Sequence, residues 1–241
     1  MTAASDNLPS LPTYPSANPT RLRITRRILR GLGDFFALTL LFKVKVSGME
    51  RMPIDQPGIV FFNHVNNFDP IVMALSIKVR DTVPFAKIEL ARSPLTGWIM
   101  WGWHVITVRR GAIDRTAIKL ALAAIRANNL LLIAPEGHRN KGGMRNPREG
   151  IVLLAAETNA LLIPMGVSGT ENAFRNFFRL RRAPITIQIG QPFRLKPNLP
   201  RPAYKQAVKE MMYRVAPLVT PDLRGEFSDL SQATTETIEL I

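Results

Sequence analysis

The 241-residue chain contains no cysteine. A disulfide framework, a thiolate metal site and a cysteine nucleophile are excluded together. Histidine is scarce too. His64, His104 and His138 stand far apart without H-E-x-x-H spacing, so no metal centre is expected. Aromatic residues make up only 7% and no base-reading motif accompanies them, which ranks nucleic acid low among partners. No run of about 18 uninterrupted apolar residues occurs, so a conventional transmembrane helix is not evident. The first twenty residues lack the charged-then-apolar start of a secretory signal.

Acid is the minority charge, with 18 acidic against 32 basic residues and a formal net charge of +14. That surplus calls for an anionic partner: nucleic acid, an anionic membrane surface or a phosphorylated substrate. Hydrophobic residues reach 46%, enough for a sizeable core in one large or two small domains.

Residues 1–20 carry Pro9, Pro12, Pro15 and Pro19 without apolar periodicity and are expected to be a disordered tail. Over residues 21–45 the pattern changes. Arg23, Arg26, Arg27 and Arg30 fall on one helical face, and Ile24, Ile28, Leu32, Phe35, Leu38 and Phe42 on another. Phe35 to Phe42 is apolar on almost every side, while Asp34 and the arginines make a full span costly. An amphipathic segment lying in the membrane interface fits this pattern, as one helix or a hairpin. The competing reading is a core-packing helix with a solvated arginine face.

From residue 58 strands and helices alternate. Strands are expected at Gly58–Phe62, Thr82–Ala86, Val105–Val108, Leu130–Ala134, Leu161–Val167 and Ile185–Ile189. Helices are expected at Pro70–Val79, after an Asp114 cap, at Glu149–Asn159 and at Pro202–Leu218, with a helical or irregular piece ending at Trp103. The expectation is an α/β domain over 46–220, a largely parallel sheet flanked by helices, preceded by the amphipathic segment. Residues 221–241 are expected to be a flexible tail.

Reactive groups in such folds gather at the carboxyl ends of strands. Four places obey that rule here. Asn63-His64-x4-Asp69 follows the first strand, Arg109-Arg110-Gly111 the third, and Pro135-Glu136-Gly137-His138-Arg139-Asn140 the fourth; Pro164-Met165-Gly166 lies late in the fifth. His64 can take and return a proton near neutral pH, and a carboxylate in reach can fix its tautomer. Asp69 could equally be the cap of a helix starting at Pro70, and His64 a satisfied half-buried histidine. Arg109-Arg110 read alone is a solvated strand end, and Glu136-Gly137 a tight turn. Arginines beside a His-Asp pair suit a phosphorylated substrate, because guanidinium is a planar fork for phosphate oxygens.

Four blocks in this order resemble the glycerolipid, lysophosphatidic acid type, acyltransferases. Asn63-His64-x4-Asp69 is similar to the family's N-H-x4-D block, and Val108-Arg109-Arg110 to its second, with Arg110 as the aligned arginine. Pro135-Glu136-Gly137-His138-Arg139 resembles P-E-G-T-R, Ile163-Pro164-Met165-Gly166-Val167 the proline-centred block, and Lys87-Ile88-Glu89-Leu90 the K-x-E-L segment. His138 replaces the usual Thr or Ser, and Arg109 a more common acidic or small residue. The resemblance implies His64 as general base, oriented by Asp69, acting on an acceptor hydroxyl. It implies an acyl-CoA or acyl-carrier protein donor and a lysophospholipid acceptor, with no cofactor or metal. Asn63, Lys87, Arg110, Glu136, Gly137, Arg139 and Pro164 would surround the substrates: Arg110 and Arg139 on phosphate, Glu136 orienting them or touching acceptor, Pro164 shaping the acyl groove. It also implies association with an anionic membrane, on its cytoplasmic face. Another lysophospholipid or a phosphate-free lipid remains open as acceptor, and a non-catalytic basic binding module remains as the reading without chemistry.

Overall fold

The computed structural model describes residues 19–109 and 114–241. Residues 1–18 of the expected tail, and Arg110, lie outside the described residues. Strands β1 (Phe42–Ser47), β2 (Gly58–Phe62), β3 (Thr82–Lys87), β4 (Ile106–Val108), β5 (Leu130–Ile133), β6 (Leu161–Ser168), β7 (Ala183–Ile189), β8 (Phe193–Leu195) and β9 (Ile238–Leu240) form one sheet. Its main order is β1-β7-β6-β2-β5-β3-β4, with β8 on β6 and β9 on β8. The block β6-β2-β5-β3-β4 is parallel throughout. At β7 the sheet reverses: β6 and β7 are antiparallel, and β1 runs with β7. Helices α3 (Ile88–Arg92) and α4 (Pro94–Trp103) connect β3 to β4.

β2 is Gly-Ile-Val-Phe-Phe, buried at every position, as a central strand covered on both faces must be. Its alternation feeds two cores. Ile59 and Phe61 pack with Val83 and Leu131 beneath α5 (Arg115–Arg126), α6 (Gly150–Thr158) and α8 (Tyr204–Val215). Val60 and Phe62 pack with Leu130 and Leu132 against α2 (Asp69–Ser76) on the other face. Because the five central strands run the same way, the loops after β2, β3, β4 and β5 emerge along one edge. That edge carries His64, Lys87, Arg109 and Glu136.

Three expectations are corrected by the structure. The N-terminal segment does not stay helical to residue 45. Helix α1 (Pro19–Gly33) continues as a π-helix over Asp34–Leu41, and Phe42–Ser47 is a strand. Phe-Lys-Val-Lys-Val-Ser alternates apolar and polar with period two, and its exposed Lys43 and Lys45 suit the open edge that β1 occupies.

The arginine stripe of α1 is not wholly on a solvent or lipid face. Arg26 donates to the Trp103 carbonyl at 3.0 Å and pairs with Asp81 at 3.4 Å. Arg30 donates to the carbonyls of Ala74, Leu75 and Ile77 at the end of α2. Lysine or arginine at a helix C-terminus meets both orphan carbonyls and the negative end of the dipole. Arg26 and Arg30 thus hold α1 to the domain through its polar side, and Asp34, the first residue of the π-helix, pairs with Lys78 at 2.6 Å. Ile24, Ile28 and Leu32 are left exposed. Among the described residues no helix is long and apolar enough to cross a membrane.

The C-terminal segment is not frayed. After α8 it makes short 3-10 turns, buries Leu223, Phe227 and Ile238, and adds β9 to the sheet. Glu210 of α8 is the fastener. One carboxylate oxygen accepts from Thr234 Oγ1, Gln206 Nε2 and the Glu236 amide, the other from the Thr237 amide and hydroxyl. Burial acts to raise this carboxyl, but the bonds from Thr234, Thr237 and Gln206 outweigh it and leave it below the ordinary range. Glu210→Ala strands five donors. It is expected to cost roughly 3 kcal/mol or more, since a bond to a charged group contributes about 1.5–3 kcal/mol. Denaturant unfolding reads the loss, and early proteolysis after residue 228 reads the detached tail.

Candidate active site

The β2–α2 loop is wound around one carboxylate oxygen. Asp69 Oδ2 accepts from the amides of Val65 at 2.6 Å and Asn66 at 2.7 Å, and meets His64 Nδ1 at 3.0 Å. These donors precede Asp69 in the chain, and its side chain makes no cap bond to α2. The helix-cap reading of Asp69 therefore fails. With Nδ1 donating to Asp69, Nε2 is the ring nitrogen left to accept a proton. Asp69 is fully buried, whereas the His64 side chain keeps 12% exposure and forms part of a cavity wall.

Asn63 is buried with both amide groups engaged: Nδ2 donates to Val167 O at 2.9 Å and Oδ1 accepts from Val167 N at 2.8 Å. It clamps the end of β2 to β6. Its acceptor and one of its donors are committed to the Val167 backbone, which gives it a structural role beside the site.

Glu136, in the loop after β5, is also buried. Oε1 accepts from the His64 amide at 2.9 Å; Oε2 accepts from Asn140 Nδ2 and from the Arg145 amide at 3.3 Å. The Asn140 amide donates to His64 O at 2.8 Å, so both backbone groups of His64 are held by this loop. Burial raises the Glu136 carboxyl above its ordinary range, opposed only in part by the bonds from Asn140, His64 and Arg145. Both oxygens accept from protein donors, and through the His64 amide Glu136 positions the histidine.

The cavity before His64 has a volume of about 360 Å³. Its polar lining includes His64, Lys87, Arg109, Asp114 and Arg148, and its apolar lining Phe85, Ala117, Ile118, Ala121, Ile151 and Leu154. Asp114 caps α5 through the Ala117 amide at 3.0 Å and holds the Arg109 amide at 2.9 Å. Burial would raise this carboxyl, but those bonds and the Arg109 charge bring it below the ordinary range. Gly137, with φ +69, lies under the Arg148 side chain; a Cβ there would come within 3.1 Å of Arg148 Nε. The positive φ is what favours glycine here, while the Arg148 side chain would have to shift slightly to admit a Cβ.

The structure therefore joins His64, Asp69, Lys87, Glu136 and Gly137. It does not bring in Arg139, which is exposed and absent from the cavity wall. Pro164 is buried within β6, paired across to Phe61 with its carbonyl bonded to the Gly190 amide, and does not line the cavity. Sequence reasoning missed the roles of Asn140, Arg145 and Arg148. Asn140 stood in a motif already singled out, but nothing in the spacing marks Arg148. His104 is remote from the site; burial and the neighbouring Arg26 charge push it down to about 4. Among the described residues no group of three His, Asp or Glu side chains is placed to hold a metal ion.

A strand-end histidine held by a buried aspartate lines a cavity whose other side chains are apolar and basic, the arrangement of groups that general-base chemistry uses. The family model described as Acyltransferase matches residues 43–168. The chain belongs to that family. It is 32% identical over 147 residues to a 1-acyl-sn-glycerol-3-phosphate acyltransferase of Cocos nucifera, covering 57% of this chain and 46% of that protein. With an alpha form from Ovis aries it shares 26% over 219 residues, 86% of this chain and 73% of the relative. The chain spans about half the length of the plant relatives from Cocos nucifera and Limnanthes douglasii, 46% and 54%. The fold is similar to the crystal structure of the 1-acyl-sn-glycerophosphate (LPA) acyltransferase PlsC from Thermotoga maritima. The TM-score is 0.56 at 20% identity, over 78% of this chain and 76% of that one.

Proposed function

We propose that this chain moves a fatty acyl group from a thioester, acyl-CoA or acyl-carrier protein, to the free hydroxyl of lysophosphatidic acid, giving phosphatidic acid. The observation that carries this reading is the His64–Asp69 pair, in the wall of a cavity lined by both apolar and basic side chains. His64 Nε2 takes the hydroxyl proton as the oxygen attacks the thioester carbonyl. The tetrahedral adduct expels the thiolate, which leaves with that proton. Asp69 holds the ring and stabilises its charged form between the two steps. No bond to the enzyme forms, and the donor arrives already activated, so no cofactor or metal is required. The interior takes hydrocarbon; Lys87, Arg109 and Arg148 take phosphate. The relatives from Cocos nucifera and Ovis aries, both 1-acyl-sn-glycerol-3-phosphate acyltransferases by name, support this acceptor.

The work is done at an anionic bilayer, on the cytoplasmic side. Exposed Ile24, Ile28, Leu32, Phe35 and Phe36 support contact with the acyl region, and the +14 charge supports the anionic leaflet. Transfer from labelled acyl-CoA or acyl-carrier protein is to be compared for lysophosphatidic acid and monoacylglycerol in mixed micelles. Transfer favouring the phosphate-bearing acceptor is expected. Equal transfer to both would move the acceptor to a phosphate-free lipid, and no transfer from either donor overturns the reading. Arg148→Ala is expected to raise KM for lysophosphatidic acid roughly tenfold, with kcat little changed, as follows from losing one charged bond to phosphate.

A further inference from the structure

The connection from α7 (Ala173–Phe178) to β7 reads Ala-Phe-Arg-Asn-Phe-Phe-Arg-Leu-Arg-Arg, four arginines in ten residues with no acid. Its apolar side chains point outward. Leu180 is 96% and Phe178 80% exposed, the two highest values among the large apolar side chains of the described residues. Phe177 and Phe174 are exposed as well. Arg175, Arg179 and Arg181 stand exposed between them.

The end of α7 makes this arrangement costly. The Leu180 amide donates to Phe177 O at 2.9 Å and the Arg181 amide to Asn176 O at 3.0 Å. That pair of bonds requires a left-handed residue, normally glycine, at the position of Leu180, whose φ is +52. A leucine there opposes the backbone preference and gains no burial within the chain.

The connection is also firmly rooted. The Phe174 ring packs on Phe68 at 5.3 Å, and Phe68 on Phe42 at 5.3 Å. Arg182 donates to the carbonyls of Leu38 and Phe42 at 2.8 and 2.7 Å. It thus joins the end of the π-helix, which exposes Phe35, Phe36 and Leu40 as well.

We propose that this connection is a second lipid contact: Phe177, Phe178 and Leu180 enter the outer layer of an anionic bilayer while Arg175, Arg179 and Arg181 meet its phosphates. The proposal rests on the reading of the chain as a bilayer-surface enzyme. Projecting phenyl and leucyl tips set among guanidinium groups match the boundary between headgroups and acyl chains.

The absence of native cysteine allows a unique label. Phe178→Cys and, as a control, Lys205→Cys on α8 are each coupled to a polarity-sensitive dye. Vesicles of mixed phosphatidylcholine and phosphatidylglycerol are added without donor or acceptor, so a failure of catalysis leaves the readout intact. A blue shift at 178 and none at 205 is expected. No shift at 178 overturns the proposal, as does a shift produced only by acidic acyl-carrier protein. Phe178→Ser with Leu180→Ser is expected to weaken vesicle binding roughly tenfold or more, from the apolar surface withdrawn. Unchanged binding overturns it. Leu180→Gly separates fold from function: the melting temperature rises by about 1–2 °C while vesicle affinity falls.

Discussion

Replacing His64 by alanine is expected to lower kcat for acyl transfer by about 10²–10⁴-fold, the usual contribution of a positioned general base. The fold should be little affected. The ring makes one bond, to Asp69 Oδ2, and that oxygen keeps the Val65 and Asn66 amides as donors. The thermal midpoint should therefore stay within a few degrees of wild type. Loss of rate at constant stability assigns His64 to the chemistry, because a structural histidine would move both readouts. A variant transferring acyl groups within threefold of wild type removes the base from His64.

Glu136→Gln should be as damaging to turnover, without touching the reacting atoms. The carboxylate faces only donors: the His64 amide, the Asn140 side-chain amide and the Arg145 amide. Glutamine presents an NH₂ group to one set of them, so a bond becomes a donor–donor contact in a buried place. The expected cost is about 2–4 kcal/mol, with kcat falling as His64 drifts from its position.

The pH dependence has a definite sign. Burial lifts the folded Glu136 carboxyl above its unfolded value. Between the two values the native state binds more protons, so this contribution to stability declines as pH rises through that window. The deficit of Glu136→Gln should accordingly be larger on the acid side than at neutrality. Glu210 behaves in the opposite way. Its folded value is lowered, so its contribution holds above the ordinary carboxylate range and is lost as pH falls through the lowered value. Unfolding curves for the two variants across acid pH check both slopes.

The parallel core was legible because its strands are short apolar runs, and β2 was read to the residue. So was the His64–Asp69 pair, a contact within one loop. What sequence could not show was which partner each polar side chain would find. Asn63 and Glu136 stood out as substrate contacts, and what spacing does not show is that each also bonds backbone more than 70 residues away in sequence. Arg139 and Arg148 are equally basic on paper; only the path of the loop after β5 puts Arg148 in the cavity wall. The ordered C-terminus was hidden for another reason. It is held by hydrogen bonds to one buried carboxylate and by separated apolar anchors, Leu223, Phe227 and Ile238, and neither makes a sustained apolar period to read.

The inward turn of Arg26 and Arg30 bears on how this chain can be shortened. Removing residues 19–41, as a detachable greasy anchor would invite, takes away the donors that satisfy the carbonyls of Ala74, Leu75, Ile77 and Trp103. It also uncovers the Leu75 side chain that Gly33 approaches closely. A trimmed catalytic domain should be less soluble than the whole chain. Solubility is better sought by exchanging the outward Ile24, Ile28 and Leu32 for polar residues while keeping the arginines beneath them.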